Sequence, residues 1–195
     1  MEEKIFYFEE FKKENTEQTF QIARQRGQEL GIKTFVVAST SGWTGVQAMK
    51  AFEGMKLIVV SHCYGSRQPD TWSFEDENLQ LLNSKGIQIV TAAHTFGGVT
   101  RAMGQMNITQ APNTYIIGDI VANTLRMFGA GMKVACEIAC MAADAGLVHC
   151  DEDIISMGGT GRVGGADVAV VLKPANSHRL FEIKIKEILC KPQNI

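Results

Sequence analysis

A cluster of small, hydroxyl-bearing residues follows the first strongly apolar stretch of the chain. Residues 34–37 are β-branched or aromatic, which predicts a buried strand, and Ser39, Thr40, Ser41 and Gly42 follow it. A helical pattern comes next. The first N–H groups of a helix lack intrahelical partners, so this loop predicts a phosphate site with hydroxyl donors and a glycine that admits the anion. An ordinary Ser/Thr cap explains the same residues, and both interpretations stay open.

Polar side chains also stand at the ends of two further predicted strands and at the start of the first predicted helix. They are Asn15, Thr16, His62, His94 and Thr95. Strands of a parallel sheet end, and its helices begin, at the edge where ligands bind, so we expect these residues to line one pocket. Each histidine could equally be a hydrogen-bonded structural residue. In an enzyme, His62 or His94 would be the catalytic proton donor.

A glycine-rich segment, residues 158–165, leaves a later predicted strand. Its residues match GxGxxG literally, but the strand-like ADVAVVL follows them, which argues against a dinucleotide-binding turn. We expect a loop that covers the ligand through Gly159, Thr160 and Gly161, with Arg162 reaching a phosphate. A structural turn between neighbouring strands explains the spacing equally well.

Alternating helices and strands must position these residues. The order α-β-α-β-α-β-α-α-β-β-β predicts a three-layer α/β fold with a mostly parallel sheet and a mixed or antiparallel edge. We predict one domain over residues 1–195, with residues 1–12 as an N-terminal arm or an edge strand. Asn15 and Gln18 predict a capping box for the first helix. Residues 180–189 alternate between apolar and charged, which predicts a strand at a sheet edge.

Composition narrows the classes of function. The net charge is −2, and no basic stripe suggests nucleic-acid binding. No apolar run reaches the roughly 18–20 residues of a membrane span, and no export signal begins the chain, so we expect a cytoplasmic protein away from membranes. Five cysteines without a CxxC pair are typical of reduced thiols. Cys136 and Cys140 fit helix packing better than a metal site, and we predict no metal.

Several longer stretches resemble one known family. They are KENTEQT at 13–19, VVASTSGWTG at 36–45, AAHTFGGVTRAM at 92–103, IVANTLRMFGAGMKVACEIACMAADAGLV at 120–148, SMGGTGRVGGADVAVVLKPANS at 156–177 and IKIKEILCKP at 183–192. Together they cover nearly everything from Lys13 onward and resemble the pyruvate kinase C-terminal-domain-like family, specifically its short stand-alone members. The fold that this resemblance implies is the same three-layer α/β architecture.

The resemblance also implies a ligand. In pyruvate kinase this domain is regulatory, and its Ser-Thr-Ser-Gly loop holds a phosphate of the allosteric sugar bisphosphate. The residues that match this loop are Ser39, Thr40, Ser41, Gly42 and Thr44. Trp43 stands where the enzyme has a threonine, and residues 158–165 are similar to a glycine-rich loop that closes over the sugar phosphate.

The same resemblance argues against pyruvate kinase catalysis. The catalytic barrel of pyruvate kinase, its lysine and its metal-binding acids are absent from this sequence. We therefore expect a regulatory or sensing protein that holds FMN, as the resemblance implies for the stand-alone members, or else a sugar phosphate or nucleotide. A flavin-dependent oxidoreductase and an interaction subunit are the alternatives. We also expect a homo-oligomer.

Overall fold

One sheet carries the fold in the computed structural model, which describes residues 3–105, 117–161 and 164–193. The strands are β1 (Phe6–Phe8), β2 (Thr34–Ala38), β3 (Lys56–Ser61), β4 (Gln88–Thr91), β5 (Ile154–Gly158), β6 (Val168–Lys173) and β7 (Lys184–Pro192). The helices are α1 (Asn15–Leu30), α2 (Trp43–Ala51), α3 (Asp76–Ser84), α4 (Gly98–Gln105), α5 (Ile117–Arg126) and α6 (Ala130–Asp144). None of the helices in these ranges is long and apolar enough to cross a membrane.

The strand order is β1-β7-β6-β5-β2-β3-β4. Neighbouring strands β5, β2, β3 and β4 are parallel, and β6 runs antiparallel to both β5 and β7. The predicted mostly parallel sheet with a mixed part is therefore confirmed. All the parallel central strands end at one edge, which brings the segments that follow β2 and β3 together.

Helices cover both faces of the sheet and give two separate cores. Alternate residues of a strand point to opposite faces, so Phe35 packs with Phe20 and Phe52 on the side of α1 and α2. Its neighbour Val36 packs with Met132 of α6 on the other side. Because helices shield both faces of the sheet from water, the central strands carry uninterrupted runs of apolar residues. The predicted three-layer architecture is confirmed.

The C-terminal strand differs from the prediction in both position and length. Residues Ser177–Glu182 form a 3₁₀ helix, and Phe181 is 85% exposed, so the strand begins only at Lys184. It lies between β6 and β1 and is not an edge strand. Residues 6–8 form the edge strand β1, which pairs parallel with β7. The first half of β7 is solvated, whereas Leu189 and Cys190 in its second half are buried.

The first helix starts without the predicted capping box. Glu14 occupies the cap position of α1, and no side chain caps the helix there. Asn15 instead donates from Nδ2 to the carbonyl of Glu10 at 2.8 Å. The prediction for Asn15 and Gln18 was wrong because the backbone turns through Lys12 and Lys13 just before the helix, where Asn15 N–H donates to the carbonyl of Lys12.

Candidate functional site

A cavity of about 460 Å³ lies at the C-terminal ends of β2 and β3. Its walls are the loop after β2, the start of α2, the end of β3, the first turns of α6 and part of the glycine-rich segment. This volume is within the usual range for small-molecule sites. The cavity therefore lies at the sheet edge where the sequence predicted a ligand.

The hydroxyl loop after β2 both caps α2 and lines the cavity. Ser39 Oγ accepts from the N–H of Gly45 at 3.1 Å, and Ser41 Oγ accepts from the N–H of Trp43 at 3.4 Å. Ser39, Thr40, Ser41 and Thr44 all line the cavity. The two interpretations of this loop are thus compatible, since a hydroxyl oxygen that accepts from the helix can still present its proton to an anion.

Gly42 lies outside the cavity lining, next to α3. Its φ is +93°, and a Cβ built on it would stand 2.5 Å from Asn78 Cβ and 2.6 Å from Phe74 Cε1. The missing side chain thus makes room for Phe74 and Asn78. The position requires glycine for packing and backbone conformation, a different reason from the anion approach that the sequence suggested.

Of the residues that the structure describes, five basic side chains and one acidic side chain line the cavity. The basic residues are Lys13, Arg67, Arg101, Arg126 and Lys133, and the acid is Glu137. Among the described residues, only Lys133 of these five forms an ion pair. The cavity is strongly positive in a chain whose net charge is −2. Such a concentration of positive charge attracts and holds anionic ligands.

Sequence reasoning missed this basic group because its members come from separate elements. Lys13 precedes α1, Arg67 lies between β3 and α3, and the other three lie on α4, α5 and α6. Arg126 donates to Asn123 Oδ1 on its own helix at 2.7 Å. One signal was readable: Lys133 and Glu137 are opposite charges at i, i+4 in an otherwise apolar helix, the spacing of a side-chain pair.

Glu137 is a buried acidic residue that contacts several groups next to the two histidines. It is 3% exposed, its Oε1 accepts from the N–H of Phe96 at 2.9 Å, and its Oε2 forms an ion pair with Lys133. His94 Nδ1 lies 3.8 Å from the same carboxylate. The rings of His62 and His94 meet edge to face with their centroids 4.7 Å apart. Both predicted histidines therefore lie together in the cavity.

The surroundings of the histidines keep them neutral near pH 7. Burial, followed by the charges of His94, Arg101 and Arg67, lowers the pKa of His62 from 6.5 to about 4. Burial also lowers the pKa of His94, although Glu137 opposes this shift. A neutral imidazole donates one hydrogen bond and accepts another, or takes up a proton. At neutral pH the pair can orient a ligand or act as a base more readily than as an acid.

Acidification is expected to destabilise the protein through His62. Its imidazole ionises near 6.5 in the unfolded chain and near 4 in the folded protein, so the unfolded state binds more protons between these values. The free energy of unfolding should therefore fall as the pH drops from about 6.5 toward 4. Urea unfolding across this range measures the effect. His62→Gln should flatten the profile, and a profile of this variant as steep as that of the parent protein would contradict the prediction.

The glycine-rich segment reaches the cavity through its backbone. Gly159, Gly161, Gly164 and Gly165 are lining residues. Asp167 is buried and holds the segment in place, since its Oδ2 accepts from Thr160 Oγ1 at 2.8 Å and from Thr160 N–H at 3.3 Å. Thr160 thus supports the loop and does not line the cavity. Arg162, the predicted phosphate contact of this segment, lies outside the described residues.

The start of α1 holds the other end of the same segment. Thr16 Oγ1 donates to the carbonyl of Lys13 at 2.6 Å and accepts from the N–H of Ala166 at 3.0 Å. Thr16 therefore has a structural role, since its hydroxyl links the start of α1 to the end of the glycine-rich segment. Asn15 and Thr95 also lie outside the lining. These three positions reach the predicted edge, but their side chains do not face the cavity.

Residues 17–172 match the family model described as the pyruvate kinase alpha/beta domain. The match extends from the first turn of α1 to the end of β6 and covers most of the 195-residue chain. It includes the hydroxyl loop, both histidines, the basic residues from Arg67 onward and the glycine-rich segment. Only Lys13, among the basic residues of the cavity, precedes it.

Proposed function

The chain belongs to the pyruvate kinase alpha/beta domain family, and on that premise we propose that it binds a phosphorylated small molecule in the cavity beside β2 and β3. One observation carries the proposal: in the part of the chain that the structure describes, five basic side chains and one acid line this cavity. A neutral or cationic ligand would leave most of these charges unsatisfied. A phosphate ester offers a dianion with several acceptor oxygens, which suits lysine and arginine donors.

In this proposal the phosphate lies at the start of α2. Ser39, Thr40, Ser41 and Thr44 surround the point where the positive end of the helix dipole meets the cavity. The first turn of α6 opens on the same cavity through Ala130. Its positive end adds to the attraction for an anion.

FMN is the proposed ligand among phosphate esters. The resemblance to stand-alone members of the family suggests it, and the lining suits an amphipathic molecule. Apolar side chains of β3 and α6, namely Val60, Val134, Ile138 and Met141, face the cavity together with the basic group. These surfaces suit a ligand with a charged end and a flat apolar part. Sugar phosphates and nucleotides are the other candidates, and the proposed role is regulatory or sensing, without pyruvate kinase catalysis.

Flavin-dependent redox chemistry is the second candidate function. The observation that favours it is the pair of neutral imidazoles, His62 and His94, within the same cavity. Reduction of protein-bound FMN by nicotinamide nucleotides, with turnover, would support this function over sensing. Bound FMN that these reductants leave oxidised would support sensing.

Thermal unfolding with FMN and riboflavin tests the proposal. The two compounds share the same ring system, and only FMN carries a phosphate. At a hundredfold excess over its Kd, FMN should stabilise the fold by about 2.7 kcal/mol, which corresponds to a rise in Tm of roughly 5–10 °C. Riboflavin should raise the Tm much less, and sodium chloride of equal ionic strength serves as the salt control.

The same measurement can contradict the proposal in two ways. Equal stabilisation by FMN and riboflavin would mean that the phosphate contributes nothing. No stabilisation by FMN, sugar phosphates or nucleotides would mean that the cavity is not a phosphate-ester site. A visible spectrum of the purified protein comes first, since flavin bands that survive gel filtration identify a retained flavin directly.

A further inference from the structure

Lys13 and Trp43 lie where the cavity at the ends of β2 and β3 adjoins a second cavity. The second cavity has a volume of about 540 Å³ and lies between α1 and α2. Lys13 and Trp43 are the residues that line both. A movement of one of these side chains against the other would therefore change the boundary between the two cavities.

Hydrogen bonds hold the backbone of Lys13 in place, whereas its side chain rests on an aromatic ring. Its carbonyl accepts from Thr16 Oγ1 at 2.6 Å and from Thr16 N–H at 3.2 Å, which ties it to the start of α1. Its ammonium lies over the Trp43 ring, with Nζ 3.8 Å from the centroid. Within the described part of the chain it forms no ion pair with an acid. In that part of the chain, the contact that holds the cation is the face of the Trp43 ring.

Trp43 brings this cation to the phosphate loop. It is the first residue of α2, and it lines the cavity together with the hydroxyl loop that would hold the phosphate. A cation–π contact at an exposed site is weaker than a charge-assisted hydrogen bond to a phosphate oxygen. A phosphate at the start of α2 would therefore draw the Lys13 ammonium away from the ring.

We propose that Lys13 is a phosphate-binding side chain held in position by Trp43, and that its transfer to a bound phosphate joins the two cavities into one ligand site. This inference rests on the proposed function. It assigns the ligand class as a phosphate monoester whose apolar part packs against β3 and α6 in the first cavity, while the polar chain next to its phosphate reaches into the second cavity between α1 and α2. The second cavity offers the amides of Gln21 and Gln47 for hydrogen bonding and the ring of Phe20 for packing.

Tryptophan fluorescence tests the transfer of Lys13. The chain has two tryptophans, so Trp72→Phe leaves Trp43 as the single emitter. Inorganic phosphate, added to this variant, should change the Trp43 emission as the ammonium leaves the ring. Lys13→Gln in the same background should abolish that change and weaken phosphate binding, measured by calorimetry, about tenfold. Circular dichroism establishes that each variant is folded.

A second variant tests the joined site. Gln47→Phe narrows the second cavity without touching the hydroxyl loop. It should weaken FMN binding about tenfold and leave the affinity for inorganic phosphate unchanged. Equal affinities of this variant and its parent for FMN would overturn the extension between α1 and α2.

The outcomes separate this inference from the proposed function. Phosphate binding in calorimetry with no change of Trp43 emission, or with full affinity in Lys13→Gln, would overturn the role of Lys13 and leave phosphate binding intact. No heat of binding from inorganic phosphate, FMN or sugar phosphates would overturn the proposed function and this inference with it.

Discussion

Replacing Ser41 with aspartate is expected to abolish binding of phosphate esters while the protein stays folded. Ser41 Oγ accepts from the N–H of Trp43 at the start of α2, and aspartate is as good an acceptor at such a position. Its charge would face the phosphate. At about 4 Å, with an effective dielectric constant of about 20, two like unit charges repel by about 4 kcal/mol, which lowers affinity roughly a thousandfold.

Ser41→Asn is the matched control for this change. Asparagine keeps the acceptor oxygen and nearly the same shape but carries no charge, so it should retain most of the affinity. Calorimetric titration with FMN or a sugar phosphate compares the three proteins, and their melting temperatures report the fold. Undiminished binding by Ser41→Asp at an unchanged melting temperature would mean that the phosphate lies elsewhere.

Replacing Glu137 with alanine is expected to destabilise the protein by about 3–5 kcal/mol. Glu137 is almost fully buried, pairs with the buried Lys133 and accepts from the N–H of Phe96. Its removal leaves a buried ammonium and a buried N–H without their acceptor. Breaking a buried pair on one side has this cost because the remaining charge is desolvated and uncompensated.

Removing both charges separates the cost of the orphaned lysine from the cost of lost packing. The double variant Lys133→Met, Glu137→Leu fills a similar volume with apolar atoms and should recover most of the lost stability. Urea unfolding of the parent, the single variant and the double variant measures the three free energies. A double variant that is as unstable as Glu137→Ala would locate the cost in the Phe96 contact or in packing.

The predictions for Ser41 and Glu137 concern different parts of the site. Ser41 belongs to the loop after β2, whose position follows from local pattern. Glu137 belongs to α6, from which it reaches the segment between β4 and α4 and lies beside His94. The first residue should decide the ligand's affinity, and the second should decide whether the cavity keeps its shape.

The order of helices and strands could be predicted from the sequence because each element carries a local signature. Apolar runs such as residues 34–37 gave the parallel strands, and glycines at helix ends gave their boundaries; Gly31, with φ +71°, ends α1. The hydroxyl loop was also readable, since a strand that stops before a helix must present its capping residues at the sheet edge. The edge that holds the cavity followed from these signals alone.

The charge of the cavity was decided by tertiary structure. Lys13, Arg67 and Arg101 each look like an ordinary surface cation in the sequence, and Arg126 lies in an apolar helical stretch. The tertiary fold brings all four to the lining of one cavity. No local pattern encodes such a meeting, because it depends on how elements distant in sequence lie across the sheet.

The direction in which each side chain points could likewise not be predicted from the sequence. Asn15, Thr16, Thr95 and Thr160 all reach the predicted edge, yet Thr16 and Thr160 turn away from the cavity to hold the backbone around it. Pattern determined the elements, the edge and the hydroxyl loop of this protein. Packing decided which side chains at that edge face the cavity, because each buried donor and acceptor must first find its partner within the fold.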